Sequence, residues 1–193
     1  VIPGTAVTKI EAQYELPFLA HATLEPMNSV ADVRENSVEI WSPTQNALTI
    51  QMVVAKAIGL PEEKIIVNTT LIGGAFGSRL KTFYAERAAL ISQHFKVPVM
   101  FMYSGKDTIQ HDSYRQATYH VCKAGIDANG AIVLWARQSV YSALIYEETD
   151  ALPYTYTIPR NIYNVYPLIL LGGPAATGIW RSVLNASDTF VTE

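Results

Sequence analysis

Cysteine is almost missing: the 193 residues hold one, Cys122. A single thiol cannot close an internal disulfide. Nor can it hold an iron–sulfur cluster, which needs about four protein ligands. Any electron relay serving this chain must therefore sit on another segment or another polypeptide. A lone cysteine in a strand-like stretch reads as a small buried apolar residue. The scarcity of thiols suits a cytoplasmic or a periplasmic location and leaves the compartment open.

Basic clusters are lacking too. Fourteen Lys and Arg stand against 17 Asp and Glu, for a formal net charge of −3. The basic residues are scattered, which argues against a nucleic-acid surface or an anionic-membrane surface. No run of about 18 apolar residues is present, so no membrane-spanning helix is expected. No basic-then-apolar leader opens at Val1, and there is no internal repeat or low-complexity tract. No Gly-x-Ser-x-Gly elbow marks a nucleophile, and Glu147-Glu148 reads as a solvated pair rather than paired catalytic carboxylates. Both ends, Val1–Thr8 and Thr189–Glu193, look cut, so the chain is expected to be a fragment.

What is present is enough for a folded core: 49% hydrophobic residues and 16% charged. Alternation over Val7–Leu16 predicts a half-buried strand, and Ser37–Trp41 a shorter one. Thr44 is placed to cap a helix over Gln45–Ile58, with Ala47, Leu48, Met52, Val54, Ala55 and Ile58 on its apolar face and Gly59 as its stop. Lys64–Leu71 reads as a buried β-branched strand, followed by the turn Gly73–Ser78 and an amphipathic helix over Leu80–Phe95. Val97–Tyr103 reads as a strand. Tyr114–Ile126 and Ala131–Ala143 read as two long strands joined at Asp127-Ala128-Asn129-Gly130, where Asn-Gly supplies the positive φ angles. Glu147–Asn164 looks irregular, Gly172-Gly173-Pro174 breaks the apolar stretch after it, and Ala175–Ser182 reads as a loop. Helices and strands are mixed with a hairpin, so the expected class is α+β, with mixed sheets and packed helices.

Four segments carry polar groups in suggestive places. Gly73-Gly74-Ala75-Phe76-Gly77-Ser78-Arg79 follows a strand and precedes a helix. Its glycines let the backbone approach another object, and its N–H groups suit an anion. It matches neither a Walker loop nor a dinucleotide fingerprint. A phosphate or cofactor site and a plain tight turn stay equally open. His21 and Glu25 stand four apart, as two metal ligands on a helix would. Pro17 and Pro26 argue against that helix, and a structural loop with a hydrogen-bonded histidine is the plainer reading. Trp41–Asn46 reads first as a helix cap. Arg181, in Gly178–Ser182, suits an anion or a surface salt bridge equally. His94, His111 and His120 read as surface or hydrogen-bonding residues.

The order and spacing of these segments resemble one family, the xanthine oxidase family of molybdenum hydroxylases, and within it the isoquinoline 1-oxidoreductase branch. The residues that carry the resemblance are YELPFLAHATLEPMN (14–28), WSPTQN (41–46), GGAFGSR (73–79), HDSYRQA (111–117), the long hairpin, and TGIWRSV (177–183).

The resemblance implies that residues 1–193 are a single fragment, the first half of a molybdenum-cofactor-binding domain. The preceding hammerhead-like domain and the second cofactor domain would lie outside it. It implies a parent oxidoreductase that hydroxylates an N-heterocycle or oxidises an aldehyde with oxygen from water. The cofactor would be a molybdenum-pterin, with a cytosine dinucleotide tail as one form open to it. Electrons would pass to iron–sulfur clusters on a small partner subunit.

By the same resemblance, Gln45 matches the glutamine that hydrogen-bonds the apical oxo group. Gly73, Gly74, Ala75, Phe76 and Gly77 match a loop whose amides contact the cofactor. Trp180, Arg181 and Ser182 match a second such loop, expected to converge with the first on one metal-pterin. No residue of the chain is expected to ligate the metal directly. Ala75 stands where the family often has glycine. A methyl fits there at negative φ and costs about 1 kcal/mol or more at positive φ. Arg79-Leu80 stands where xanthine-specific members carry a glutamate, so Leu80 implies an aromatic or aldehyde substrate rather than a purine. The family's catalytic glutamate falls downstream of Glu193, so the chain alone is expected to hold little cofactor and to be inactive. Two other readings are a non-catalytic module on the same scaffold and a nucleotide-dependent enzyme of another class.

Overall fold

The computed structural model describes residues 4–142, 163–165, 169–170, 175–183 and 185–192. These fall into two compact units, Ala20–Ser113 and Val1–Leu19 with Tyr114–Glu193. The glycine pair before Pro174, Glu147-Glu148 and most of the irregular Glu147–Asn164 segment lie outside the described residues. Mixed sheets and packed helices make the fold α+β, as the sequence predicts.

The Ala20–Ser113 unit is built on β2 (Asn28–Arg34), β3 (Ser37–Ser42), β4 (Ile65–Thr69) and β5 (Val99–Met102), paired in the order β4-β3-β2-β5. β2 is antiparallel to both β3 and β5, and β4 runs parallel to β3. The parallel pair needs a crossover, supplied by α1 (Ala47–Ile58). Helix α2 (Phe83–Phe95) packs beside α1 on the sheet. Ala85, Ala88 and Ala89, all fully buried, let α2 come close, and Ala31, Val38, Ile40, Ile50, Val54 and Tyr84 fill the core. Ser92, also buried in α2, ties its ends: its hydroxyl accepts from Val33 N–H at 3.0 Å and donates to Val97 O at 2.8 Å.

Several local expectations change. β2 and the short helix α3 (Gly105–Gln110) are additions. The cap of α1 is Asn46, whose side chain accepts from Thr49 N–H at 3.1 Å. Thr44 instead accepts from Asn46 N–H and donates to Arg79 O. The buried side of α1 is Ile50, Val54 and Ala55, whereas Leu48 and Met52 are largely exposed. β4 is an edge strand, so it is half-buried rather than buried, and Ile66 faces out.

In the other unit, β1 (Thr8–Leu16), β6 (Thr118–Ile126) and β7 (Ile132–Tyr141) form an antiparallel sheet. Short strands β8 (Tyr163–Val165) and β9 (Ile169–Leu170) pair parallel to β7. His120, Cys122 and Ala124 alternate onto the buried face of β6. Cys122 lies against Val191 of α4 (Asn185–Thr192), a helix absent from the sequence expectation. Cys122 is thus the small buried residue expected, and burial pushes its thiol pKa up. At the β6–β7 turn only Gly130 has positive φ; Asn129 does not. The Asp127 carboxylate accepts from Asn129 N–H and Ala131 N–H at 2.8 and 2.9 Å. The pairing shifts by one residue at Gly125–Ile126, and a bulged hairpin of this kind needs a single left-handed residue.

Candidate functional site

The Gly73–Gly77 loop is shaped from both ends. At its start, Gly73 N–H donates to Glu25 Oε2 at 2.7 Å, and Gly73 O accepts from Glu25 N–H at 3.0 Å. The two strands of chain lie so close that a Cβ on Gly73 would stand 2.5 Å from the Glu25 Cβ. At its end, Gly77 N–H donates to Gln45 Oε1 at 3.1 Å, bringing together residues 32 apart in sequence. Gln45 is itself fastened by its main chain, its N–H donating to Arg79 O at 3.1 Å.

Between those ends the backbone is unusual. Gly74, Phe76 and Gly77 have φ of 100, 53 and 108°. A left-handed Phe is strained by about 1–2 kcal/mol, and strain of this kind collects at functional loops. Ala75 keeps a negative φ, so its methyl, in the place where the resembled family often has glycine, adds no backbone strain. The N–H groups of Gly74, Ala75 and Phe76 have no hydrogen-bond partner among the described residues. The loop runs into a 3-10 turn, Ser78–Leu80, and the α-helix begins only at Phe83. Its donors are therefore presented by the loop's own alternation of backbone conformation, and not by a helix N-terminus as the sequence suggests. Leu80 sits half-buried at the end of that turn.

Arg79 is the residue that sequence reasoning passed over. It is fully buried. Its guanidinium donates to Gly74 O at 3.0 Å, Pro43 O at 3.2 Å, Glu25 O at 2.8 Å and Pro26 O at 3.2 Å, and stands 3.1 Å from Glu25 Oε2. Burial lowers its pKa, and the Glu25 carboxylate opposes that shift. Tyr84, buried beside it, donates its hydroxyl to Arg79 O at 3.3 Å, and burial raises the phenol's pKa. No local pattern links Glu25 to Arg79, 54 residues on; the one clue is that each stands inside a quoted motif.

His21 and Glu25 do not form a ligand pair. His21 Nδ1 lies 2.9 Å from Asp112 Oδ2, which also accepts from His21 N–H at 2.7 Å. The histidine is the buried, hydrogen-bonded one expected of a structural loop. Among the described residues no group of three or more His, Cys, Asp or Glu is placed to hold a metal ion.

The second loop, Ala175–Val183, belongs to the other unit. It is zipped to Tyr114: Gly178 N–H donates to Tyr114 O and Tyr114 N–H to Ala176 O, each at 3.0 Å. The Arg115 guanidinium lies over the Trp180 ring, 5.5 Å from its centroid. The buried Trp180 Nε1 and Arg115 Nε have no hydrogen-bond partner among the described residues. Ser182 and Val183 are consecutive left-handed residues, φ 60 and 57°. Arg181 is exposed and makes no ion pair among the described residues.

These observations define a class: a scaffold domain with a braced loop whose bare amides suit a group rich in acceptor oxygens. Three amides without a partner among the described residues and the Gln45 carboxamide stand in one loop system, a donor set that fits the acceptor oxygens of a bound cofactor. Comparison with known proteins sharpens this. Residues 4–168 match the molybdopterin cofactor-binding domain family, and the chain belongs to it. It is 29% identical over 160 residues to a protein of Gluconacetobacter polyoxogenes named membrane-bound aldehyde dehydrogenase (pyrroloquinoline-quinone), covering 78% of this chain and 21% of that one. It is 29% identical to the aldehyde oxidoreductase molybdenum-binding subunit PaoC of Escherichia coli K12 (70% and 19% covered) and 27% identical to isoquinoline 1-oxidoreductase subunit beta of Brevundimonas diminuta (72% and 18%). The chain thus spans about a fifth of the length of these relatives. Among solved structures, quinoline 2-oxidoreductase from Pseudomonas putida 86 shares the fold with a TM-score of 0.73 at 17% identity, over 93% of this chain and 24% of that one.

Proposed function

We propose that the protein containing this chain is a molybdenum hydroxylase-type oxidoreductase that oxidises an aldehyde or hydroxylates an N-heterocycle. The carrying observation is the Gln45–Gly77 bond within a loop that leaves the Gly74, Ala75 and Phe76 amides without a partner among the described residues. The three relatives above, with names of aldehyde or isoquinoline oxidation, support the substrate class. The rest of the large subunit and an iron–sulfur subunit are its proposed partners, and one cysteine cannot supply the cluster itself.

When bound, the molybdenum-pterin supplies a metal-generated oxygen nucleophile and an acceptor for two electrons. The chain's own residues bind and orient. Gln45 Oε1 is taken by Gly77 N–H, so the carboxamide orientation is set and both Nε2 hydrogens remain for an acceptor. The loop amides are held before any ligand arrives, so they stabilise charge on oxygen without reorganising. Trp180, Arg181 and Ser182 are proposed as the second cofactor-contacting segment, and the buried Trp180 Nε1, which has no hydrogen-bond partner among the described residues, supports that role. Leu80 offers an apolar wall to substrate. The replacement at Ala75, which would favour a non-catalytic module if it strained the loop, adds no such strain.

The test is molybdenum content and dye-linked oxidation of aldehydes and N-heterocycles by the full-length protein. Molybdenum should be present and turnover measurable; protein from molybdate-replete cells that holds no molybdenum would refute the reading. Gln45→Ala should lower turnover about 10–100-fold while leaving the fold intact, and unchanged turnover removes Gln45 from the site.

A further inference from the structure

We propose that Glu25 and Arg79 form a positioning pair that aims the Gly74 and Ala75 amides, through the carbonyl on the far side of each peptide, while Ser78 does the same for the Phe76 amide. A peptide group is planar, so holding the carbonyl of one residue fixes the direction of the next residue's N–H. Each unpartnered amide here has its plane pinned in that way. The Gly73 carbonyl accepts from Glu25 N–H at 3.0 Å, which sets the Gly74 N–H. The Gly74 carbonyl accepts from Arg79 Nε at 3.0 Å, which sets the Ala75 N–H. The Ala75 carbonyl accepts from Ser78 N–H and Oγ at 2.9 and 2.7 Å, which sets the Phe76 N–H.

The first two pins depend on the pair. Arg79 reaches Gly74 only because its guanidinium is braced on Glu25 O, Pro26 O and Pro43 O, and Glu25 is held in place by Arg79 and by Asn28 Nδ2 at 2.8 Å. A fully buried guanidinium with four bonds to main-chain carbonyls and the Glu25 carboxylate beside it is turned onto the protein's own chain. Its work is on the loop, and it is a positioning residue rather than a contact residue. Its own carbonyl receives Gln45 N–H, Thr44 Oγ1 and Tyr84 OH, so the same residue also seats Gln45.

The inference rests on the cofactor reading for one of its two readouts only. Both are taken on the full-length protein carrying Glu25→Gln, which keeps the shape and loses the charge, or Arg79→Lys, which keeps the charge and loses the fork. Deuterium uptake by the peptide holding Gly73, Gly77 and Ser78 should accelerate about tenfold while uptake in α1 and α2 keeps its wild-type rate. Molybdenum per polypeptide, by elemental analysis, should fall about tenfold. Unchanged loop uptake in both variants overturns the proposal, as does acceleration of α1 and α2 alongside the loop. Failure of both variants to fold has the same meaning, since it makes the pair a general stabiliser. Faster loop uptake with full molybdenum content overturns the link to the cofactor. A wild-type protein without molybdenum fails the functional reading alone, and the uptake comparison still decides the pair.

Discussion

Gly73→Ala should be more damaging than Gly74→Ala in the candidate loop, although Gly73 is not one of its left-handed residues. The new methyl would stand 2.5 Å from the Glu25 Cβ. That neighbour is the first atom of its side chain and cannot swing aside, so the backbone must part. Overpacking of this kind costs about 1–3 kcal/mol. The movement also stretches the 2.7 Å bond from Gly73 N–H to the Glu25 carboxylate, a charge-assisted bond of about 1.5–3 kcal/mol. The sum is about 2.5–6 kcal/mol, which at about 2–4 °C per kcal/mol lowers the thermal midpoint by roughly 5–24 °C.

Two comparison variants make the argument strict. Gly74→Ala places a methyl at φ 100° but with its nearest neighbours at 3.5 Å, so the cost is backbone strain alone, about 1–3 kcal/mol. Gly105→Ala, with nothing within 4 Å and no positive φ, should be neutral or stabilising by up to about 1 kcal/mol. Urea unfolding followed by tryptophan fluorescence reads all three, with Trp41 of β3 reporting on this unit. A Gly74→Ala variant less stable than Gly73→Ala would refute the close-approach argument.

Three further outcomes follow from burial. Ile50→Ala, on the buried face of α1, should cost about 2–5 kcal/mol in urea unfolding; a loss below about 1 kcal/mol would mean α1 is not seated on the sheet. The raised pKa of Tyr84 makes its contribution fully present below about pH 10, the ordinary value for an exposed tyrosine, and lost as pH climbs through the raised folded value. Tyr84→Phe should therefore flatten the alkaline fall in stability, and an unchanged profile would count against it. Cys122, buried and with its thiol pKa pushed up, should react with a thiol reagent at pH 7 far more slowly than the same thiol in urea; equal rates would show that α4 does not cover it.

Local chemistry made much of this protein readable. Alternation placed β1 and β3, β-branching placed β4, and helical periodicity placed α1 and α2. The sequence also carries a signal for α3: Ser104 and Asp107 form a reciprocal capping box, a pattern visible in sequence. The α1 cap was misplaced by two residues because Thr44 and Asn46 are both good caps, and only the pull of Arg79 O on Thr44 separates them. The hairpin turn was misread because the Asp127 carboxylate stabilises a bulged turn that needs one left-handed residue, a choice between backbone shapes that Asn-Gly alone does not make.

By itself, then, the amino-acid sequence determined the class of fold, the glycine loop, the nomination of Gln45 and the membership of a cofactor-binding family, because each rests on neighbours along the chain or on the order of short motifs. Only tertiary structure decided that Gln45 closes on Gly77, that Ala75 keeps a negative φ, and that Glu25 and Arg79 brace the loop from beneath. The first and last depend on groups tens of residues apart meeting within about 3 Å, and hydrogen-bond partners at that separation leave no periodic trace in a single sequence; the φ of Ala75 is a choice among backbone shapes that the residue type alone does not make.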